Sequence, residues 1–176
     1  MVSIFAIFCT AFLITVPDII RVMNFRYTMF KKFADVMREK ERNAIGPHVS
    51  LLIGSIIPMI LINEYLISVA GIIIAIFSDA AASLVGRKFG KHKLVFSERT
   101  GKSYEGLIGG FITAFLCPLP ILLWGYDLYT SIILALIGAI VVSIIDIITP
   151  TLTDNILNPI CASFFMYFTY LIIAII

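Results

Sequence analysis

Residues 66–106 read LISVAGIIIAIFSDAAASLVGRKFGKHKLVFSERTGKSYEG. The stretch opens on an apolar run that ends at Ser78-Asp79. A polar segment follows, and another apolar run begins at its far end. Within 78–106 lie Arg87, Lys88, Lys91, Lys93, Arg99 and Lys102, six of the thirteen Lys and Arg residues of the 176-residue chain. Asp79, Glu98 and Glu105 and four glycines share the same segment. Apolar runs of about 20 residues flanking a short polar connection describe two membrane helices joined by a hydrated hairpin.

Composition agrees with that reading. The chain is 60% hydrophobic with a mean hydropathy of +1.05, above the roughly half-apolar content of soluble domains. Apolar segments fall at about 2–20, 49–62, 66–85, 104–124, 128–148 and 158–176. The expectation is an all-α, polytopic membrane protein of about six transmembrane helices, forming a single integral membrane domain over 1–176. The N-terminal run lacks a preceding basic residue and a small-residue cleavage site, so it is expected to be a first membrane helix rather than a signal peptide. The segment VSLLIGSIIPMILI would cover only about 21 Å as a helix, so it is expected to tilt, kink or re-enter. Residues 22–43 carry Val22, Phe25, Met29, Phe33, Val36 and Met37 at helical spacing among charges, the pattern of an amphipathic interfacial helix.

The connections alternate in charge. Arg21, Arg26, Lys31, Lys32, Arg38, Lys40 and Arg42 lie in the first, and the six named above lie in the third; together they account for every Lys and Arg. Two helices separate the two sets, so both emerge on one face, which the positive-inside rule makes cytoplasmic. The connection TPTLTDNILNP returns to that face. Basic residues confined to membrane flanks do not point to a nucleic-acid partner. Cys9, Cys117 and Cys161 stand in apolar runs without metal-ligand or disulfide spacing. His48 and His92 are single and read as surface residues.

Several residues have chemistry to offer. Asp79 sits at a membrane boundary, where a carboxylate needs a partner, water or a cation. Ala82, Gly86 and Gly90 form a row of small residues that more often marks close helix packing than ligand contact, and is compatible with close approach of a phosphate. Cationic side chains, glycines, a helix N-terminus and carboxylates are the mixture that phosphate binding with Mg²⁺ requires. FSERTGKS is not a P-loop, because Phe96 occupies the place of the first glycine and no strand leads into it. Asp146 lies inside an apolar run, and an intramembrane acid is a functional candidate. Asp154-Asn155, between Pro150 and Pro159, reads as a turn or cap on the same face as the basic cluster.

SDAAASLVGRKFGKHK, then GKSYEG, then Asp146 eight positions ahead of Asp154-Asn155, together resemble the CTP-dependent lipid-alcohol kinases. These comprise the dolichol kinase, phytol kinase and CTP-dependent diacylglycerol kinase group, which is related more distantly to phosphatidate cytidylyltransferases. The resemblance covers about 38–160, with a weaker match at Arg38, Glu39 and Gly46. Ser78 stands where the family commonly has Gly, and Asp146 where Glu is more usual. The resemblance implies a kinase that moves the γ-phosphoryl of CTP to a lipid alcohol such as a polyprenol. By that resemblance Asp79, Asp154 and Asn155 would hold Mg²⁺ against the nucleotide. Gly86, Arg87, Lys88, Gly90, Lys91, Lys102 and Ser103 would surround the phosphates, and Glu105 or Asp146 would be general base. The alternatives are a cytidylyltransferase making a CDP-lipid and a small membrane transporter or channel. The latter predicts little loss when Asp79 or Lys102 is replaced.

Overall fold

The computed structural model describes residues 47–94, 102–149 and 154–175. The expected first span, the amphipathic segment 22–43 and the Arg38/Glu39/Gly46 element lie outside the described residues. Among the described residues six helices run in the order α1 (Pro47–Leu61), α2 (Tyr65–Phe89), α3 (Tyr104–Leu116), α4 (Leu119–Gly125), α5 (Leu128–Ile148) and α6 (Asp154–Ile175). The chain divides into two units, Met1–Leu52 and Ile53–Ile176, and the second carries everything that follows.

Among the described residues four stretches are long and apolar enough to cross a bilayer: Tyr65–Phe89, Tyr104–Gly125, Leu128–Ile148 and Asp154–Ile175. Large apolar side chains such as Phe77, Ile112, Leu136, Ile144 and Phe168 point outward. That distribution suits lipid, where only a helix satisfies its own backbone groups. The protein is therefore an all-α, multi-pass membrane protein. Helix α2 continues past the expected end at 85, because AAASLVGRKF contains no proline and a single tolerated glycine, Gly86, before Gly90. Its 25 residues span about 37 Å at 1.5 Å each. The expected single segment 104–124 is broken at Cys117-Pro118, where Pro118 brings no N–H to continue the ladder.

The last span begins at Asp154 rather than at 158. This corrects the reading of Asp154-Asn155 as part of a proline-bounded loop: both stand in the first turn of α6, and Pro159 lies inside the helix. The proline removes the bond to the Asn155 carbonyl and its ring crowds that oxygen, yet the helix continues through it to Ile175.

Lipid offers helices little hydrophobic reason to associate, so close approach of small residues holds them together. Helices α2 and α3 form the most extensive pair. A Cβ on Gly106 would lie 2.8 Å from the Ala82 carbonyl oxygen, and one on Gly110 would lie 3.2 Å from that of Ser78. Gly54 of α1 meets the start of α6 in the same way, a Cβ there lying 2.6 Å from the Ile156 carbonyl oxygen. Buried stripes at four-residue steps face the interior: Leu134, Gly138, Val142 and Asp146 on α5, and Asp154, Asn158, Ala162 and Met166 on α6. Ile67, Ala70 and Ile74 of α2 meet them.

The end where α2 begins and α6 finishes is closed by Tyr126. Its hydroxyl donates to Glu64 Oε2 at 2.9 Å, and its ring lies 5.1 Å from that of Tyr170. Burial first, then the Glu64 carboxylate, pushes the phenol well above its ordinary 10.0. The folded state thus favours the protonated form. This contribution is complete below the ordinary tyrosine value and falls away as pH climbs above it. Raising the pH from about 9 to about 11 is expected to lower the thermal midpoint of the wild type more than that of Tyr126→Phe. Equal losses in the two proteins would show that the phenol plays no such part.

Candidate functional site

The polar chemistry gathers at the opposite end. Residues 92–94 and 102–104 pair as a minimal antiparallel ladder: Leu94 N–H donates to the Lys102 carbonyl and Tyr104 N–H to the His92 carbonyl, both at 3.0 Å. Leu94 is buried and anchors that pair. Ser103 then caps α3, its Oγ accepting from Gly106 N–H at 3.1 Å. With its backbone held on both sides, Lys102 projects toward the ends of α5 and α6.

Lys102 Nζ donates to the Asp146 carbonyl oxygen at 2.8 Å and to Asp154 Oδ2 at 3.1 Å. It also lies 3.7 Å from Asp146 Oδ1. Local rules place each charge. The Asp146 carbonyl belongs to the last turn of α5, where a cation satisfies free carbonyls and the helix dipole. Asp154 opens α6, where a carboxylate is favoured. Both carboxylates end or begin a buried stripe, so both face inward, with side chains only 9% and 4% exposed. A carboxylate in that setting requires a partner, and Lys102 serves two.

Asn158 completes the cluster. It stands one turn beyond Asp154 and is 2% exposed. Its Nδ2 donates to Asp146 Oδ1 at 3.2 Å. Asp79, exposed at the edge, is close enough to feel the Asp154 and Lys102 charges. The Asp146 and Asp154 carboxylates thus share one ammonium among the described residues, a local excess of negative charge.

The remaining predicted site residues are placed elsewhere. Gly86 and Gly90 pack on Ser103, where added Cβ atoms would lie 3.1 and 2.7 Å from its Oγ, so of the two readings of the small-residue row, packing is the one these contacts express. Glu105 accepts from the His92 backbone N–H at 3.2 Å and lies 2.7 Å from its Nδ1. His92 is on the surface as expected, but it also braces this carboxylate. Arg87 Nε donates to Ser83 O of its own helix, and Lys88 lies over the Phe89 ring. Both are exposed, as is Lys91. Asn155 is half-buried beside Asp154. The sequence reading missed Asn158, although the signal was present: four residues after Asp154 is the same face of a helix.

Among the described residues no three His, Cys, Asp or Glu side chains converge as ligands for one metal. Mg²⁺ in nucleotide sites takes one or two carboxylates with substrate phosphates rather than a full protein cage. The anionic excess around Lys102 fits that pattern.

A bundle of lipid-facing helices with a charged, inward-facing cluster at one end defines a multi-pass integral membrane protein. The chain belongs to the cytidylyltransferase family, CTP-dependent lipid-modifying enzymes of the membrane, whose family profile matches residues 1–149. It is also 32% identical over 111 residues to the dolichol kinase sec59 of Schizosaccharomyces pombe. That alignment takes in 54% of this chain and 21% of the relative, so the chain corresponds to about a fifth of that protein's length. No solved structure matches the chain. Asp154, Asn155 and Asn158 lie beyond the last residue of the family match.

Proposed function

We propose that the protein uses CTP to modify a membrane lipid at the Lys102–Asp146–Asp154 cluster, by nucleotidyl transfer to a lipid phosphate. A phosphate oxygen of the lipid attacks the α-phosphorus of CTP, the α–β bridge breaks, and pyrophosphate leaves with the displaced electron pair. The observation that carries this reading is the buried lysine–carboxylate cluster, set at the same end of the bundle as the exposed Arg87, Lys88 and Lys91. The family match over most of the chain supports nucleotidyl transfer in particular. The chemistry agrees: a lipid phosphate is already anionic and needs no general base, and the Glu105 carboxylate is engaged by His92.

Asp79 and Asp154, with Asn155, are the residues that would hold Mg²⁺, whose charge would offset that of the phosphates. Lys102, Arg87, Lys88 and Lys91 supply the fixed positive charge that draws a nucleotide to this end. The positive-inside pattern makes this the cytoplasmic face, where CTP is found. The lipid chain lies along the apolar outer surface of the bundle and its headgroup reaches the cluster.

A second reading is phosphoryl transfer from CTP to a lipid alcohol, favoured by the match to a dolichol kinase. There the lipid oxygen attacks the γ-phosphorus, CDP leaves, and the hydroxyl proton passes to a carboxylate, Asp146 or Glu105. Labelled nucleotide separates the readings. Purified protein with Mg²⁺ is offered phosphatidate and polyprenyl phosphate in one set, and polyprenol, phytol, geranylgeraniol and diacylglycerol in another. Label from α-labelled CTP in the lipid phase is the expected result. Transfer of γ-label alone establishes the kinase, and transfer of neither label with any lipid overturns both in favour of a transporter or channel.

A further inference from the structure

Asn158 has one half of its amide committed and the other half open. Nδ2 donates to Asp146 Oδ1 at 3.2 Å. Oδ1 is buried and, among the described residues, has no hydrogen-bond partner. A buried amide oxygen without a donor costs free energy. The amide cannot turn over to relieve it, because Oδ1 would then face the Asp146 carboxylate oxygen. Its orientation is therefore dictated by the charge on Asp146. The reverse also holds: α6 is fixed locally by the fully buried Pro159 and its contact with α1, so the Asn158 donor comes from a rigid position and determines where Asp146 Oδ1 lies.

We propose that Asn158 is a positioning residue of the site: it fixes the Asp146 carboxylate beside Lys102, and so sets the charge that the substrate meets. This rests on the functional reading above only for its effect on turnover. The ammonium of Lys102 bonds the Asp146 backbone and Asp154, and Asn158 holds the Asp146 carboxylate at hydrogen-bond distance. Removing it leaves Asp146 with the 3.7 Å contact to Lys102.

Two variants and two readouts test this in the intact protein. Asn158→Leu keeps the volume and removes the donor. Its kcat is expected to fall about 10- to 100-fold with the KM for CTP little changed, the scale of one hydrogen bond to a charged group. The exchange Asp146→Asn with Asn158→Asp keeps a hydrogen bond between α5 and α6 but moves the charge. The exchange is expected to restore the thermal midpoint while turnover stays low, which separates loss of the carboxylate's position from loss of a clasp between α5 and α6. The second readout needs no reaction. A hydrophobic carbodiimide, followed by mass spectrometry, is expected to label Asp146 about fivefold faster in Asn158→Leu than in wild type. Unchanged labelling, or a kcat within twofold of wild type, overturns the proposal. Faster labelling in a protein that transfers no label from CTP keeps the positioning role and discards the functional reading.

Discussion

Lys102→Ala is expected to abolish label transfer, by at least about 100-fold, and to lower the thermal midpoint in detergent. The two effects have separate causes. The ammonium joins Asp154 and the end of α5, and without it Asp146 and Asp154 remain buried with like charge and no counter-ion. Breaking a buried ion pair from one side costs about 3–5 kcal/mol, because the survivor stays desolvated. The 21% exposure of the Lys102 side chain places this case toward the lower figure. Loss of activity follows independently, since the site would then meet the nucleotide phosphates with carboxylates alone. Pairing Lys102→Ala with Asp154→Asn removes one stranded charge and is expected to recover much of the stability with none of the activity. Unfolding can be followed with a thiol-reactive dye in a Cys9→Ser background, because Cys117 and Cys161 are both partly buried. Full activity of Lys102→Ala would show that the cluster is not the site.

Gly106→Leu is expected to have the largest effect on folding. An added Cβ would stand 2.8 Å from the Ala82 carbonyl oxygen and 3.2 Å from Gly86 Cα. Both neighbours are backbone and neither yields without moving a helix. Overpacking in a dense interior costs about 1–3 kcal/mol and more where no side chain can turn aside. Here the strain would part α2 from α3 at the end where Lys102 is held, so activity is lost with stability. Gly125→Ala is the contrasting case. The atom in its way is the Leu66 Cδ1 methyl, the far end of a flexible side chain, and the variant is expected to be tolerated. Fluorescence-detected size exclusion of the two proteins from membranes reads the difference directly.

Much of this molecule is legible along the chain, for a physical reason. In lipid a backbone has few ways to satisfy its own polar groups, so a long apolar run has essentially one solution, and the helices from 65 to 175 lie close to where hydropathy places them. Charge on the connections likewise marks the end of the bundle where the buried lysine–carboxylate cluster lies. Discontinuities are less legible. The break at Cys117-Pro118 lies inside an unbroken apolar run, and the start of α6 is masked by a proline that the helix runs through. Pro159 looked like the edge of a loop, and that hid the fact that Asp154 and Asn158 share a face.

The site divides along the same line. Asp79, Lys102, Asp146 and Asp154 can be picked out from residue type and position alone, because a charge at a membrane boundary needs an explanation. Which of them touch is another matter. Lys102 lies 44 residues from Asp146 and 52 from Asp154, and Glu105 reaches His92 only because a two-residue ladder folds the hairpin back. By itself the sequence determined the membrane helices and the end at which polar chemistry collects, since both follow from transfer between water and lipid, residue by residue. Only the tertiary structure decided that Lys102 is shared between two buried carboxylates and that Asn158 donates a hydrogen bond to one of them. Those facts depend on how the ends of α3, α5 and α6 meet, and burial in a low-dielectric interior turns that meeting into a strong constraint.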